Sequence, residues 1–305
     1  MSMIRHRIGQ PGNSGKEARR IGAVIVRLTA PLIFVFSLNC TGFAFKTFYR
    51  NLDTLVESRV HSYVALTDEQ EDFIDGRIAT HYRWHRYTEL PNYAAVFQEF
   101  ATRIDRGLKR DDLNYAYSKM KLFRTRVAYR VYPDALELLR NFSSAQVDKQ
   151  EKLIQEYNVD LAETVALSPA ERFEKRLKSN REFFEFFLGD LSATQNQRIS
   201  SYTQQSEDNV SQYLAYRRIV QTRLLSLLRR GPEGHDDLQS FLKTYFFQWE
   251  SLYPPAYRRS QAKNRELFFQ TLLDIDGTLT AEQRKHASGR IRELATNFLE
   301  LAGKK

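Results

Sequence analysis

Two histidines and a glutamate pose the first chemical question. His81, His85 and Glu89 fall at i, i+4 and i+8, which on a helix stacks three potential ligands along one face. Two histidines four residues apart can share a zinc ion, so His81 and His85 are the metal candidates. Tyr82 stands where a His-Glu-x-x-His motif carries its glutamate base. Glu89 lies two turns from His81, too far for three-point chelation by one straight helix. The competing reading packs both histidines beside Trp84, with Arg83 and Arg86 in solvent. Nucleophilic chemistry has less to build on. Cys40 is the only cysteine, no serine sits in Gly-x-Ser-x-Gly, and neither a Walker A lysine loop nor Gly-x-Gly-x-x-Gly occurs. No catalytic residue, resident metal or cofactor is expected.

The run Asp274-Ile275-Asp276-Gly277-Thr278-Leu279-Thr280 resembles the nucleophile motif of haloacid-dehalogenase-like phosphatases. There the first aspartate attacks phosphorus and the second handles the proton. That chemistry needs a preceding parallel strand and metal-binding acids downstream. Here a helical segment, Glu266 to Leu273, comes before the motif, and only 29 residues follow Asp276. A helix end, a turn at Gly277 and a new helix start at Thr280 account for it better.

Binding surfaces have stronger raw material, because aromatic residues make up 13% of the chain. Phe183-Phe184-x-Phe186-Phe187 and Tyr245-Phe246-Phe247-x-Trp249 crowd rings too closely for a single helical stripe. Either these helices are buried on two sides, or some rings form an exposed client- or membrane-facing patch. Phe183, Phe184, Phe187, Tyr245, Phe246 and Trp249 are the binding candidates. Arg217-Arg218, Arg229-Arg230 and Arg258-Arg259 flank them, and as isolated pairs read equally well as solvated helix faces.

The elements that position these groups are helical. Large apolar residues recur at three and four residues in Phe73, Ile74, Ile78, Tyr82 and in Leu113, Tyr117, Met120, Phe123, Val127. No run alternates with β-branched residues, and no hairpin signal joins two such runs. Five helix starts repeat one pattern: Leu66-Thr67-x-x-Gln70, Phe142-Ser143-x-x-Gln146, Leu167-Ser168-x-x-Glu171, Leu191-Ser192-x-x-Gln195 and Leu279-Thr280-x-x-Gln283. This is the capping box, in which the hydroxyl accepts from the N3 amide and the N3 side chain returns to the N-cap amide. Asp236-Asp237-Leu238-Gln239 is a weaker sixth. Its copies lie 76, 25, 24 and 88 residues apart, which excludes a fixed-period solenoid. Stops are expected near Pro91, Gly107, Pro133, Gly189, Gly231, Pro254-Pro255 and Gly277. The expectation is an all-α bundle or array of about ten antiparallel helices. It forms a single domain over residues 40–305, with a candidate subdivision near 231–234.

Residues 1–39 read as a signal peptide or N-terminal membrane anchor. Arg5, Arg7, Lys16, Arg19, Arg20 and Arg27 precede the apolar run Leu28 to Leu38, and Cys40 follows, which is the layout of an export signal. Three fates are open. Cys40 resembles the lipidated cysteine of a bacterial lipoprotein, although Ser37 and Asn39 depart from the lipobox. Cleavage after Gly42-Phe43-Ala44 would release the chain. Retention of Ile21 to Phe45 would leave an anchor, long enough for a span but interrupted by Arg27 and Pro31. The formal net charge of +9 is concentrated in this leader: residues 1–40 carry six basic groups and one acid. The remaining 40 basic and 36 acidic groups are too balanced for a nucleic-acid binder.

Tyr49-Arg-Asn-Leu-Asp53, Leu66-Thr-Asp-Glu-Gln70, Trp84-His-Arg86, Glu89-Leu-Pro91 and Leu214-Ala-Tyr-Arg-Arg218 together resemble a family of Gram-negative envelope lipoproteins with no assigned activity. The resemblance implies an all-helical body, attachment through Cys40 and a periplasm-facing location in the cell envelope. The Leu-Thr-x-x-Gln element also resembles the motif of Spy-related periplasmic chaperones, though a capping box alone produces it. The expected role is non-enzymatic: a membrane-tethered binding or structural protein, chaperone-like toward unfolded or envelope clients. The alternative is a hydrolase of envelope polymers or phosphate esters.

Overall fold

Helix-start chemistry is where the chain's folding is most easily followed. The computed structural model describes residues 42–303; Cys40 and the rest of the leader lie outside the described residues. The helices are α1 Gly42–Arg50, α2 Leu52–Tyr63, α3 Asp68–Trp84, α4 Leu90–Asp105, α5 Arg110–Arg140 and α6 Ser144–Ala166. They continue as α7 Pro169–Leu188, α8 Ala193–Gln205, α9 Val210–Arg229, α10 His235–Phe247, α11 Pro255–Asp276 and α12 Ala281–Leu301. There is no strand among the described residues. The fold is an all-α multi-helix array.

All five capping boxes form, at Thr67, Ser143, Ser168, Ser192 and Thr280. Four of them carry glutamine at N3, and these four meet in pairs. Gln146 Nε2 donates to Gln70 Oε1 at 2.6 Å and to the Ala65 carbonyl at 2.7 Å. Gln195 and Gln283 exchange amide hydrogen bonds of 2.9 and 3.0 Å. The remaining box ends in Glu171, which serves only its own Ser168. The difference is chemical: a carboxylate has no N–H to pass onward once its oxygens accept the cap.

Each glutamine pair sits beside one of two apolar cores. Leu66, Ile74, Leu136, Phe142, Val147, Leu225, Leu238 and Leu242 build the first, from α3, α5, α6, α9 and α10. Ala101, Ile104, Leu177, Phe184, Ile199, Ile275 and Ile291 build the second, from α4, α7, α8, α11 and α12. Helices α4 and α12 run antiparallel, with Arg284 donating to the Ile104 carbonyl at 2.7 Å and Arg86 to the Leu301 carbonyl at 2.5 Å. Helices α9 and α10, either side of the Gly231–Gly234 3-10 turn, share the first core.

Three local expectations need correction. The helix does not stop at Pro91: α3 and α4 run on as one rod through a π-turn at His85–Glu89. Proline has no N–H for the carbonyl four residues back, and the π-turn absorbs the mismatch, with the Leu90 N–H bonding to the His85 carbonyl. Pro133 likewise lies inside α5, where the affected turn carries the exposed Tyr129 and Arg130. The weak sixth cap is absent. Gly234 precedes α10 without a side-chain cap, and Asp236 and Asp237 sit in the first turn, where they complement the helix dipole.

Candidate binding surface

The most developed polar and aromatic surface lies where α5, α9, α10 and α11 meet. Helix α10 ends at Phe247, and Gln248 leaves helical geometry at φ −130°, ψ 34°. The chain makes one 3-10 turn, Trp249–Leu252, before Pro254 and Pro255 open α11. Proline at the first helical position forfeits no hydrogen bond. This short reversal folds Trp249 back onto α5, where the Arg124 guanidinium lies 3.2 Å from its ring centroid. Such stacking is worth about 0.5–2 kcal/mol, depending on desolvation.

Arg124 also donates Nη1 to the Phe246 carbonyl at 3.0 Å. The nearest carboxylate, Glu250, is otherwise engaged, accepting from Lys121 at 3.1 Å and Tyr117 at 3.2 Å. Behind Arg124 stands a tyrosine cluster. Tyr216 stacks on Tyr257, with centroids 5.8 Å apart, and meets Tyr253 edge-on at 4.9 Å. Tyr213 and Arg217 extend it along α9. Tyr245 completes it and is 40% exposed. Beside Trp249 an open cleft of about 250 Å³ is lined by Lys121, Thr125, Phe247, Glu250 and Ser251.

Electrostatics in this cluster have one direction. Burial, and then neighbouring phenols, pushes the hydroxyls of Tyr216, Tyr245 and Tyr253 up, against the pull of Arg124. They stay neutral O–H groups across the physiological range. Burial lowers the Arg124 guanidinium pKa, and the surrounding tyrosines and Glu250 oppose that shift. Arginine remains protonated regardless.

The two aromatic runs have separate fates. Phe184 is 3% exposed, and Phe183 and Phe187 pack against the second core beside Phe268. These rings fill the interior, because helix α7 is covered on more than one side. Phe246 is partly buried against the first core. Tyr245 and Trp249 reach the open face.

The histidines do not converge. His81 pairs through Nε2 with Asp134, which Arg77 also holds at 2.8 Å. His85 Nδ1 shares a hydrogen bond with the Tyr49 hydroxyl at 2.8 Å. Burial pushes the imidazole of His85 down to about 4. Glu89 is fully buried, and Arg126 donates Nε and Nη2 to its Oε1 at 3.0 and 2.7 Å. No group of three or more His, Cys, Asp or Glu able to hold a metal occurs among the described residues. The π-turn thus hosts a buried polar chain joining α1, α3 and α5.

Asp276 ends α11 and takes Arg284 at 2.7 and 3.1 Å, as well as the Leu108 N–H at 3.1 Å. It braces the loop at Gly107, whose φ of +88° suits only glycine. Asp274 lies 3.6 Å from Arg198 and accepts from Gln270 at 2.9 Å. The Asp-x-Asp motif is a helix end and a loop brace.

Sequence reasoning missed Arg124, Tyr216 and Tyr253. Arg124 is one of several arginines in α5, and nothing local distinguishes it. The Tyr213-x2-Tyr216 spacing did carry a signal, since that pair shares a face of α9, whereas Tyr253 sits in extended backbone ahead of α11.

The described chain is therefore an all-α protein whose outstanding surface is a tyrosine–arginine–tryptophan face. It belongs to the Family of unknown function (DUF6279), which matches residues 62–258. The match takes in Arg124, Tyr245, Trp249, Tyr253 and Tyr257. No curated protein and no solved structure matches the chain. Among the described residues no helix is long and apolar enough to cross a membrane.

Proposed function

We propose that this protein is a membrane-tethered component of the bacterial envelope that works by binding, and that it holds extended or unfolded polypeptide on the Arg124–Trp249–Tyr245 face. The observation that carries the reading is the Arg124 guanidinium stacked on Trp249 beside the 40% exposed Tyr245. Tyrosine, tryptophan and arginine combine apolar area, hydrogen-bonding capacity and few rotamers, and they dominate binding hot spots. The adjoining cleft at Phe247 offers room for a neighbouring side chain. The tether is the part read from sequence: the basic, apolar leader followed by Cys40.

The test is aggregation of several unfolded clients, without nucleotide, in the presence of the full-length protein held in lipid nanodiscs. Suppression is expected, and it should weaken several-fold in Tyr245→Ala and Trp249→Ala variants. Equal performance of those variants, or no suppression of any client, would remove the reading. For the tether, the intact mass of the native protein should carry a diacylglyceryl increment that Cys40→Ser abolishes. An unmodified Cys40 would remove that element.

The alternative hydrolase would draw on Asp274 or His85. Both are engaged in side-chain hydrogen bonds, to Gln270 and Tyr49, and no observation favours that reading.

A further inference from the structure

Two guanidinium groups bear on one phenol. Arg124 on α5 lies 3.2 Å from the Trp249 ring centroid and donates to the carbonyl of Phe246, the residue after Tyr245. Arg217 on α9 lies 6.0 Å from the Tyr213 centroid, and both guanidinium groups act on the Tyr245 hydroxyl. Neither makes an ion pair of 4.0 Å or less among the described residues, whereas twelve other arginines do, including Arg126 and Arg284. Glu250 cannot serve Arg124 fully, because Lys121 and Tyr117 occupy it. Arg124 has five N–H donors, and one of its nitrogens donates to Phe246. A half-buried cation with donors to spare is costly unless an anion completes it. The nearby phenols add neutral O–H donors and no negative charge at physiological pH. On this face the charges of Lys121 and Glu250 offset each other in an ion pair of 3.1 Å, and those of Arg124 and Arg217 have no such partner among the described residues.

We propose that this face selects acidic polypeptide: a side-chain carboxylate of the bound segment seats beside Tyr245, held by Arg124 and Arg217, while flanking apolar or aromatic residues of the segment lie on Trp249 and in the Phe247 cleft. The proposal rests on the binding function above and names the chemistry of the client. A guanidinium fork matches a carboxylate bidentately and adds direction to the charge attraction. Phosphate has similar chemistry, so the source must be argued. Arg124 and Arg217 are both half-buried between helices, and a planar bilayer surface reaches such recessed groups less readily than a carboxylate on a flexible side chain. The exposed rings here are also interspersed with charges rather than merged into one apolar patch, which fits residue-by-residue contact with an extended chain.

The test measures fluorescence anisotropy of labelled extended peptides against the full-length protein in zwitterionic nanodiscs. One peptide alternates glutamate with tyrosine and leucine; its twin carries glutamine at every glutamate. The acidic peptide should bind about ten- to hundred-fold more tightly, the value of one or two charge-assisted hydrogen bonds. Arg217→Gln and Arg124→Gln should each erase most of that gap, and Arg124→Lys should restore only part of it. The Arg217 variant, at a half-buried position on α9, serves if the Arg124 variant melts early. Equal binding of the two peptides, or an acidic preference unchanged in both arginine variants, overturns the carboxylate proposal and leaves polypeptide binding standing. Binding of neither peptide overturns the binding function itself. Displacement of the acidic peptide by inorganic phosphate or phosphatidylglycerol vesicles, where matched acetate and zwitterionic vesicles have no effect, overturns the polypeptide source.

Discussion

Changing Gln195 to glutamate alters one atom's chemistry and almost nothing of its shape, so it isolates the paired capping boxes. Gln195 is 0% exposed. Its Oε1 accepts from the Ser192 N–H at 2.9 Å and from Gln283 at 3.0 Å, and its Nε2 donates to Gln283 Oε1 at 2.9 Å. A weaker donation runs to Thr278 Oγ1 at 3.3 Å. Glutamate keeps the cap but turns the donor into an acceptor facing another acceptor. Gln283 cannot rescue this by flipping its amide without losing its bonds to the Thr280 N–H at 3.3 Å and the Asp190 carbonyl at 2.8 Å. One lost buried hydrogen bond, with an acceptor left unpaired, costs about 1–3 kcal/mol. The buried charge adds to that, for a total of about 3–5 kcal/mol. Urea unfolding of the full-length protein, followed by circular dichroism, measures it. Glu171→Gln, in the box that pairs with no other, should stay within about 0.5 kcal/mol of the parent. The introduced carboxyl would have its folded pKa raised by burial, so the loss in Gln195→Glu should shrink as pH falls toward 4, where protonation restores an O–H donor. A Gln195→Glu protein as stable at pH 7 as Glu171→Gln would refute the reasoning.

Other expectations follow from the π-turn and its surroundings. His85 has a folded pKa held by burial near 4, below the ordinary 6.5. Its contribution is fully present above pH 6.5 and is lost as pH falls toward 4, with up to about 3 kcal/mol involved. Stability measured across that window should fall more steeply in the parent than in His85→Gln; parallel slopes would refute it. Glu89→Ala removes the carboxylate that holds Arg126, itself 40% exposed and able to turn to water, so unfolding should show a loss of about 2 kcal/mol rather than the full cost of a stranded buried charge. Gly107→Ala forces a side chain into a left-handed turn, and a loss of about 1–2 kcal/mol in thermal unfolding is expected.

What the sequence made legible was local. A capping box is written in four consecutive residues, so all five could be read before any fold was known. The prolines misled because the cost of a missing N–H depends on what surrounds the turn. At Pro91 a π-turn takes up the defect within a buried polar network, and at Pro133 the turn faces solvent. The pairing of boxes was half-visible: glutamine rather than glutamate at N3 marks those able to donate onward. The binding face was the least legible part. Tyr245 and Trp249 stood out as a crowded aromatic run, as did Phe183, Phe184 and Phe187, yet the same ring density on α7 is spent in the core. What separates them is the break at Gln248 and the presence of Arg124, more than a hundred residues upstream. No spacing rule connects residues on four different helices.

The central claim is that polypeptide binds at the Arg124–Trp249–Tyr245 face. Amide hydrogen exchange of the full-length protein in nanodiscs, with and without a saturating unfolded client, tests it most directly. The account predicts client-dependent protection in 245–257, 213–217 and the middle of α5, with 183–187 unchanged as a buried internal control. Protection confined to other helices, or no change anywhere under conditions where the client is bound, would contradict it.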